Sequence, residues 1–531
     1  MLRLANFPVP LDYTKSSLQA AVEKKLHLRP DQLLSLHIAK QSVDARDKNN
    51  VHFVLSLTLE AKDETDLLKN YRFLSPAPSV RVQMLPVSRF TSPPLVVGAG
   101  PAGLFAALTL ARSGSRPILI ERGRSVENRI RDIEKMSSEG LLDPESNVQF
   151  GEGGAGSFSD GKLTCGVKSP HTQYILETFV KHGAPDSILT DSMPHIGTDR
   201  LRKVVASLRK EITDLGGTVL FETKLEELLI RGRHLEGAVV SHAGLKKEIL
   251  TDTLLLCIGH SARDTVRTLF SQGVRMSQKA FAMGVRIEHP RVYIDRAQYG
   301  RFAGHPALGA ASYKLVCHTP DGRGVYTFCM CPGGYVIAAA SQPDGVVVNG
   351  MSLHARDADN SNAALLVGVR PEDFGDDHPL AGMVLQRQIE KAAYRAGGGG
   401  FRAPCQRVED FLLNRPSKEF GIVTPSYKPG VVPADLRDVL PDFIVENLKS
   451  GLRSMNSQLS CFAMPDALLT APETRSSSPV RLLRTESGES ESVAGLYPVG
   501  EGAGYAGGIV SAAIDGISSA IKAIENSSLL C

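Results

Sequence analysis

Six residues, Gly98-Ala-Gly100-Pro-Ala-Gly103, limit what this chain can become more than any others. They end an apolar run, PLVVGAG, and open a run of helix formers, AGLFAALTLARSG, after which RPILIER supplies a second apolar strand. A strand, a helix and a strand within about thirty residues is the layout of a parallel sheet. Gly98 permits the tight turn, Gly100 lets the backbone approach a pyrophosphate, and Gly103 allows close helix–strand packing. The helix starting near Pro101 turns its free N–H groups and positive dipole end toward the same place. Glu121 ends the second strand 23 residues beyond Gly98, where a carboxylate accepts both hydroxyls of an adenosine ribose and repels a 2′-phosphate. The spacing predicts a dinucleotide site drawing on Gly98, Gly100, Pro101, Ala102, Gly103, Glu121 and Arg122.

A second glycine-rich turn, Val499-Gly500-Glu501-Gly502-Ala503-Gly504, lies near the other end of the chain, with Gly507, Gly508, Ile509 and a small-residue helix behind it. Two such loops far apart in sequence suit a long, extended cofactor, which favours FAD over NAD. Glu501 is placed to bind ribityl hydroxyls or the pyrophosphate region. The helix after Gly507 is placed to set its dipole against the flavin pyrimidine edge, where reduction builds negative charge.

The 531 residues point to about three or four domains. Lys and Arg number 60 against 57 Asp and Glu, a net charge of +3 that argues against a protein built around nucleic-acid backbones. A hydrophobic fraction of 42% supplies a large core and excludes a disordered chain. The eight cysteines are scattered, with no Cys-x-x-Cys pair, so neither a zinc site nor a disulfide scaffold is expected, and no metal. The N-terminal MLRLANFPVPLDYTK lacks the apolar run of a secretory signal, and the final SLLC lacks a prenylation arrangement. Residues 93–111 are uncharged and nearly long enough to span a bilayer, but their glycines and proline read as a buried strand–turn–helix. The expected setting is intracellular, in the cytoplasm, with no membrane span.

Four segments follow from the patterning. Residues 1–92 form a small α+β domain, with Ser16 to Gln19 as a capping box, a strand over 51–61, a helix in ETDLLKNYRFL, and a Ser/Pro-rich exit. Residues 93–275 form the first part of an FAD-binding Rossmann-type parallel sheet, with strands in 218–258 returning to it. Residues 276–484, a mixture of short strands and helices, form an inserted α+β substrate domain. Residues 485–531 return to the FAD-binding domain. The fold class is therefore α/β.

Longer strings carry a resemblance. VVGAGPAGLFAALTLA, ESNVQFGEGGAGSFSDGKL, PHIGTDRL, IGHSARDT, FAMGVRIEHP, VYTFCMCPGG, VNGMS, PETRSSSPVR and YPVGEGAGYAGGIVSAAIDG resemble the uncharacterised FAD-dependent dehydrogenases that carry an extra N-terminal α/β domain. The resemblance spans nearly the whole chain and implies an FAD fold of the two-dinucleotide-binding-domain type, while implying little about substrate. In its light the loop Gly151 to Gly156 lies against the flavin, with Gly153, Gly154, Ala155 and Gly156 as contacts and Lys162 as a cation for reduced flavin. Gly259 and His260 sit where such folds return to the cofactor. Lys162, His260 and Arg263 are the catalytic candidates. Arg263 and Asp264 also suit pairing with each other or capping a helix, and His195 and His289 read as structural. Arg475 suits an anion, the pyrophosphate or its own loop. Cys329 and Cys331, at i and i+2 on a strand, share a face but suit packing better than a disulfide.

The expected function is hydride transfer between a small organic substrate and noncovalent FAD, with NAD(P)H at most a transient co-substrate. The alternatives are an FAD-stabilised binding protein that recruits a partner through the N-terminal domain, and a flavoprotein of RNA modification. For the latter, residues 199–210 offer only an amphipathic helix with a solvated basic face.

Overall fold

The computed structural model describes residues 1–78, 86–88 and 90–529. The N-terminal unit contains β1 (Leu2–Val9), α1 (Lys15–Leu26), β2 (Leu33–Asp44), β3 (His52–Ala61), α2 (Glu64–Asn70) and β4 (Leu74–Pro76). Its sheet is antiparallel in the order β2-β3-β1-β4, a ferredoxin-like split βαβ arrangement. Alternation makes the layer: Leu55, Leu57 and Leu59 of β3 face inward with Leu2 and Leu4, under Leu18, Val22 and Leu26 of α1. Sequence patterning shows only one of these four strands. The capping box is built by Thr14 and Ser17, two residues earlier than Ser16 and Gln19. Edge strand β2 is not free, because Gln41 exchanges backbone bonds with Thr190 and Ser192 at 2.7 and 2.8 Å. Much of the Ser/Pro-rich exit, residues 79–85 and 89, lies outside the described residues.

Next come β5 (Leu95–Val97), α3 (Pro101–Arg112), β6 (Ile118–Ile120), α4 (Val126–Glu139), α5 (His171–Lys181), α6 (Thr198–Asp214) and β7 (Thr218–Leu220). Residues 223–250 depart from expectation. Instead of joining the parallel sheet, β8 (Thr223–Arg231), β9 (His234–His242) and β10 (Leu245–Leu250) form their own antiparallel meander. Tight turns carrying Gly232 and Gly244 at φ +64 and +78 force that antiparallel pairing. The chain then returns through β11 (Leu254–Leu256) and α7 (Arg263–Ser271).

The inserted region runs through β12 (Met276–Gln278), β13 (Phe281–Pro290), α8 (Arg291–Tyr299), β14 (Val316–His318), β15 (Gly324–Cys331), β16 (Tyr335–Ala338), β17 (Val348–Met351) and β18 (Asn360–Val369). It continues with α9 (Ala381–Ala396), β19 (Ala403–Arg407), α10 (Val408–Leu412), β20 (Val431–Pro433), α11 (Asp442–Gln458), β21 (Leu468–Glu473) and β22 (Val480–Leu482). Its main sheet has the order β14-β15-β18-β13-β21-β19-β20. β23 (Leu496–Pro498) and α12 (Ile509–Leu529) close the chain.

The parallel sheet has the order β23-β11-β5-β6-β7, and its strands Leu95–Val97 and Leu254–Leu256 are wholly buried. The chain runs from β5 to β6 on one side and later to β11 on the other. The order therefore reverses at β5, and a doubly wound sheet binds ligands at that switch point, beyond the carboxyl ends of its strands. Among the described residues, no helix is long and apolar enough to cross a membrane.

Candidate functional site

A cleft with about 1540 Å³ of empty space, part of it open to solvent, lies at the switch point. Val97 and Gly98 at the end of β5, Ile120 and Glu121 at the end of β6, Cys257 and Ile258 after β11, and Val499 after β23 all line it. The far wall comes from the inserted region, including Phe328, Cys329, Cys331, Asn349, Glu473 and Arg475.

The first glycine turn has the expected steric logic. Gly98 adopts φ +103, and a Cβ on Gly103 would meet the Gly98 carbonyl oxygen at 1.8 Å. Gly100 differs: a Cβ there would meet only Gly154 Cα, at 3.9 Å, and would project into the cleft. α3 begins at Pro101 with no side-chain cap, leaving the first-turn N–H groups directed at the cleft. Pro101 and Ala102 line the cleft beside them, whereas Gly103 lies behind it.

Glu121 corrects one expectation. Its Oε2 accepts from Ala99 N–H at 2.8 Å, and its Oε1 accepts from Gly123 and Gly151 N–H, each at 2.9 Å. One carboxylate therefore ties three loops together, and the two bonds at Oε1 use its two lone pairs. Oε2 retains capacity for one ribose hydroxyl rather than two. Neighbouring Arg122 is held by Glu145 at 2.7 Å and bidentately by Asp264 at 2.9 Å, so Asp264 pairs with Arg122, not with Arg263.

The Gly151–Gly156 loop rests on Arg129, a residue with no signal in the sequence beyond its place in an amphipathic helix. Its fully buried guanidinium donates to the carbonyls of Asn147, Val148, Gly151, Glu152 and Gly154 at 2.7 to 3.2 Å. Among the described residues no carboxylate pairs with it directly, and burial pushes its pKa down to about 9 against the pull of Glu121 and Glu152. A trans peptide points its N–H opposite to its C=O. Anchoring the Gly154 carbonyl inward therefore turns the Ala155 N–H outward, toward the cleft that Gly154, Ala155 and Gly156 line. Gly153 sits behind them at φ +82, against Ser157.

At the opposite end, Gly507 and Gly508 lead into α12, and Gly507, Gly508, Ile509 and Ala512 line the cleft. A Cβ on Gly259 or Gly507 would meet nothing within 4 Å, so the backbone itself forms the wall. Gly500 is left-handed at φ +78 and donates its N–H to Asp515 at 2.7 Å, behind the lining. Glu501 faces the cleft, where burial pushes its pKa up to about 7 and Lys279 pulls it back. His260 Nδ1 stands 3.7 Å from Glu501. Burial, with Arg475 and Arg263 nearby, pushes His260 down to about 3, so it is a neutral imidazole, and its Nε2 has no partner.

The catalytic candidates separate. Lys162 lines the cleft, 3.5 Å from Asp160, and its Nζ is buried without a hydrogen-bond partner. Burial disfavours the Asp160 carboxylate, but Lys162 and Arg356 hold its pKa well below the usual range. Arg263 does not reach the cleft. Its guanidinium is buried against Glu390, both pairs at 2.8 Å, with Gln342 and Gln386 beside it. Arg475 reaches the cleft but is committed to the same Glu390 at 3.0 Å and to Ser261 and Ser341. His195 bonds the His354 carbonyl at 3.1 Å and His289 the Phe462 carbonyl at 2.7 Å, both away from the cleft. Glu390 was legible only as a polar residue on the buried face of α9.

These residues fit an extended dinucleotide with a ring system. Two helix N-termini, at Gly100 and Gly508, line one cleft, and glycines there leave the space a Cβ would fill. The family described as FAD-dependent protein, C-terminal domain-like, matches residues 280–476, and an FAD binding domain matches residues 91–132. A domain of unknown function matches residues 1–60. An uncharacterised protein of Clostridium beijerinckii is 46% identical over 532 residues, covering 99% of this chain and 98% of its own. Among solved structures, the E. coli quinol fumarate reductase FrdA is 12% identical, with a TM-score of 0.36 over 83% of this chain and 71% of its own. A geranylgeranyl bacteriochlorophyll reductase-like protein of Thermoplasma acidophilum is 11% identical, with a TM-score of 0.33 over 82% of each chain.

Proposed function

The chain belongs to the same family of FAD-dependent proteins as its Clostridium beijerinckii relative, and on that premise we propose that it is an oxidoreductase transferring hydride between a small organic substrate and noncovalent FAD. FAD, when bound, supplies a two-electron centre in its isoalloxazine ring. The observation that carries the reading is one cleft lined by the N-termini of two helices, α3 and α12, with a separate sheet closing it.

In this reading the Gly98–Gly103 turn, the α3 N-terminus and the Ala155 N–H hold the pyrophosphate, and Glu121 takes one ribose hydroxyl. Glu501 takes ribityl hydroxyls, and the α12 N-terminus faces charge that develops on the ring. Lys162 is the candidate catalytic cation, since its Nζ, 3.5 Å from Asp160 and without a hydrogen-bond acceptor, keeps donors for negative charge in the cleft. Neutral His260 offers one hydrogen-bond donor and one acceptor beside Glu501. Arg263 is a positioning residue that acts through Glu390.

The test is the absorbance spectrum of the purified full chain and of the supernatant after heat release, followed by anaerobic addition of NADH and then NADPH. Yellow protein releasing FAD supports the cofactor, and rapid bleaching by one nucleotide identifies a pyridine-nucleotide-coupled enzyme. Protein that stays colourless after added FAD overturns the reading. A flavin that no nucleotide or metabolite reduces favours a binding protein with a structural flavin.

A further inference from the structure

The hydrogen-bonded ladder between β15 and β18 slips beside the cleft. Phe328 pairs with Ala364 and Cys331 with Asn362, so β15 carries one extra residue over that interval. A bulge of this kind re-aims side chains and is common next to active sites. Before the slip, Val325 and Thr327 point into the interior. After it, Met330 points into the core, while Phe328, Cys329 and Cys331 all line the cleft. Cys329 lies within the slip, held at φ +39, a left-handed conformation that a cysteine rarely adopts. It is exposed to the cleft, whereas Cys331 is buried. The packing role expected from a regular strand therefore does not describe Cys329, and regular i, i+2 geometry does not hold at this point.

One guanidinium pins both residues. Arg286 Nη2 donates to the Cys329 carbonyl at 2.6 Å and to Cys331 Sγ at 3.3 Å, and Cys331 Sγ donates to the same carbonyl at 3.2 Å. Desolvation within the cleft pushes the Cys329 thiol up to about 12 and burial raises that of Cys331, while Lys162 and Arg286 pull both down. The Lys162 Nζ has no hydrogen-bond acceptor. Arg286 is itself paired with Glu473 at 3.0 Å and Lys162 lies 3.5 Å from Asp160, so the two cations offset only part of the cost of the thiolate that disulfide chemistry requires.

We propose that Cys329 and Cys331 are a redox-active dithiol that closes to a disulfide as two electrons pass to FAD in the cleft. Two S–H bonds break and one S–S bond forms, and the flavin takes up both electrons and both protons. The reverse reaction reopens the pair when the flavin arrives reduced. The proposal rests on the cleft being the FAD site, and its primary readout is covalent, so the two can fail separately.

The experiment compares the purified full chain as isolated in air with the same chain reduced by a phosphine. Each sample is unfolded in iodoacetamide, digested and weighed. In the air-oxidised sample the peptide containing Cys329 and Cys331 should be unalkylated and lighter by two hydrogens, and it should be doubly alkylated after reduction. Cys257 and Cys405 should be alkylated in both. Anaerobic dithionite titration of holoprotein should consume four electrons per flavin in the wild type and two in Cys331→Ser. Yellow protein with both thiols alkylated in air, or two electrons per flavin in the wild type, overturns the pair. Colourless protein that still yields the lighter peptide supports the pair and overturns the cofactor reading.

Discussion

Arg129 donates to the Gly154 carbonyl at 2.9 Å, and through that bond a charge buried behind the loop decides which way the Ala155 N–H points. Arg129→Met keeps much of the apolar stem but leaves the Asn147, Val148 and Glu152 carbonyls without a donor, while the Gly151 and Gly154 carbonyls keep only the Gly154 and Ser157 N–H groups. Buried polar groups without partners cost about 1–3 kcal/mol each, partly relieved by relaxation, so a loss of at least ~3 kcal/mol is expected. A denaturation midpoint measures it. Arg129→Lys, with three donors in place of five, should fall between wild type and Met in both stability and flavin content.

The two glycines of the first turn should separate binding from folding. Gly100→Ala adds a methyl with only an ordinary contact to Gly154 at 3.9 Å, so apoprotein stability should move by less than about 0.5 kcal/mol. The same methyl occupies the pyrophosphate approach, and FAD affinity should fall at least ~10-fold, equivalent to about 1.4 kcal/mol. Gly103→Ala drives a Cβ to within 1.8 Å of the Gly98 carbonyl oxygen and should destabilise apoprotein by ~1–3 kcal/mol or more. Thermal melts of apoprotein with fluorescence titration of FAD resolve the two effects. Equal stability loss in both variants would contradict the assignment.

These glycines were legible in the sequence because their tasks are local: a turn, a close approach and a helix start are written within six residues. The same holds for the strand–helix–strand run and for the helix after Gly508. Glu121 was half legible. Its position followed from spacing, but its saturation by Gly123 and Gly151 N–H depends on a loop thirty residues away. Arg129 and Glu390 were not legible, because one bonds backbone carbonyls, which carry no residue identity, and the other gathers arginines from positions 263 and 475. Arg263 was misread for the same reason. The meander over 223–250 was missed because short apolar strands look alike whichever sheet they join. The β15 bulge is set by its pairing with β18, which no local pattern announces.

Glu501 gives the apoprotein a pH signature. Burial raises its pKa to about 7, above that of the unfolded chain, so its contribution to stability is complete below about pH 4.3 and is lost as pH rises toward 7. Glu152, also pushed up to about 7 by burial, acts in the same direction. His195 and His260 are pushed down and act oppositely, losing stability as pH falls below about 6.5. The total profile therefore mixes signs, and the informative quantity is a difference. Relative to wild type, Glu501→Gln should gain stability steadily between about pH 4.5 and 7, by no more than ~1.4 kcal/mol per pH unit. Urea midpoints across that window measure it, and a flat difference would show that Glu501 is not desolvated.

Glu390 is the anion on which two buried cations depend. Burial disfavours its charge, yet Arg263 and Arg475 hold its pKa well below the usual carboxylate range. Glu390→Gln preserves shape and leaves both guanidiniums without a formal counter-charge, one of them in the cleft wall beside Ser261. Removing one partner of a buried pair costs about 3–5 kcal/mol, far more than a surface bridge. The variant should lose that much in chemical denaturation, whereas Asp344→Asn, which removes a half-exposed partner of Arg387, should lose under ~1 kcal/mol. Because Glu390 stays ionised far into acid, the wild-type advantage over Glu390→Gln should persist undiminished from pH 7 to pH 5. A gap that closes over that range would mean that the carboxylate is already protonated, and that the two arginines are balanced by other groups.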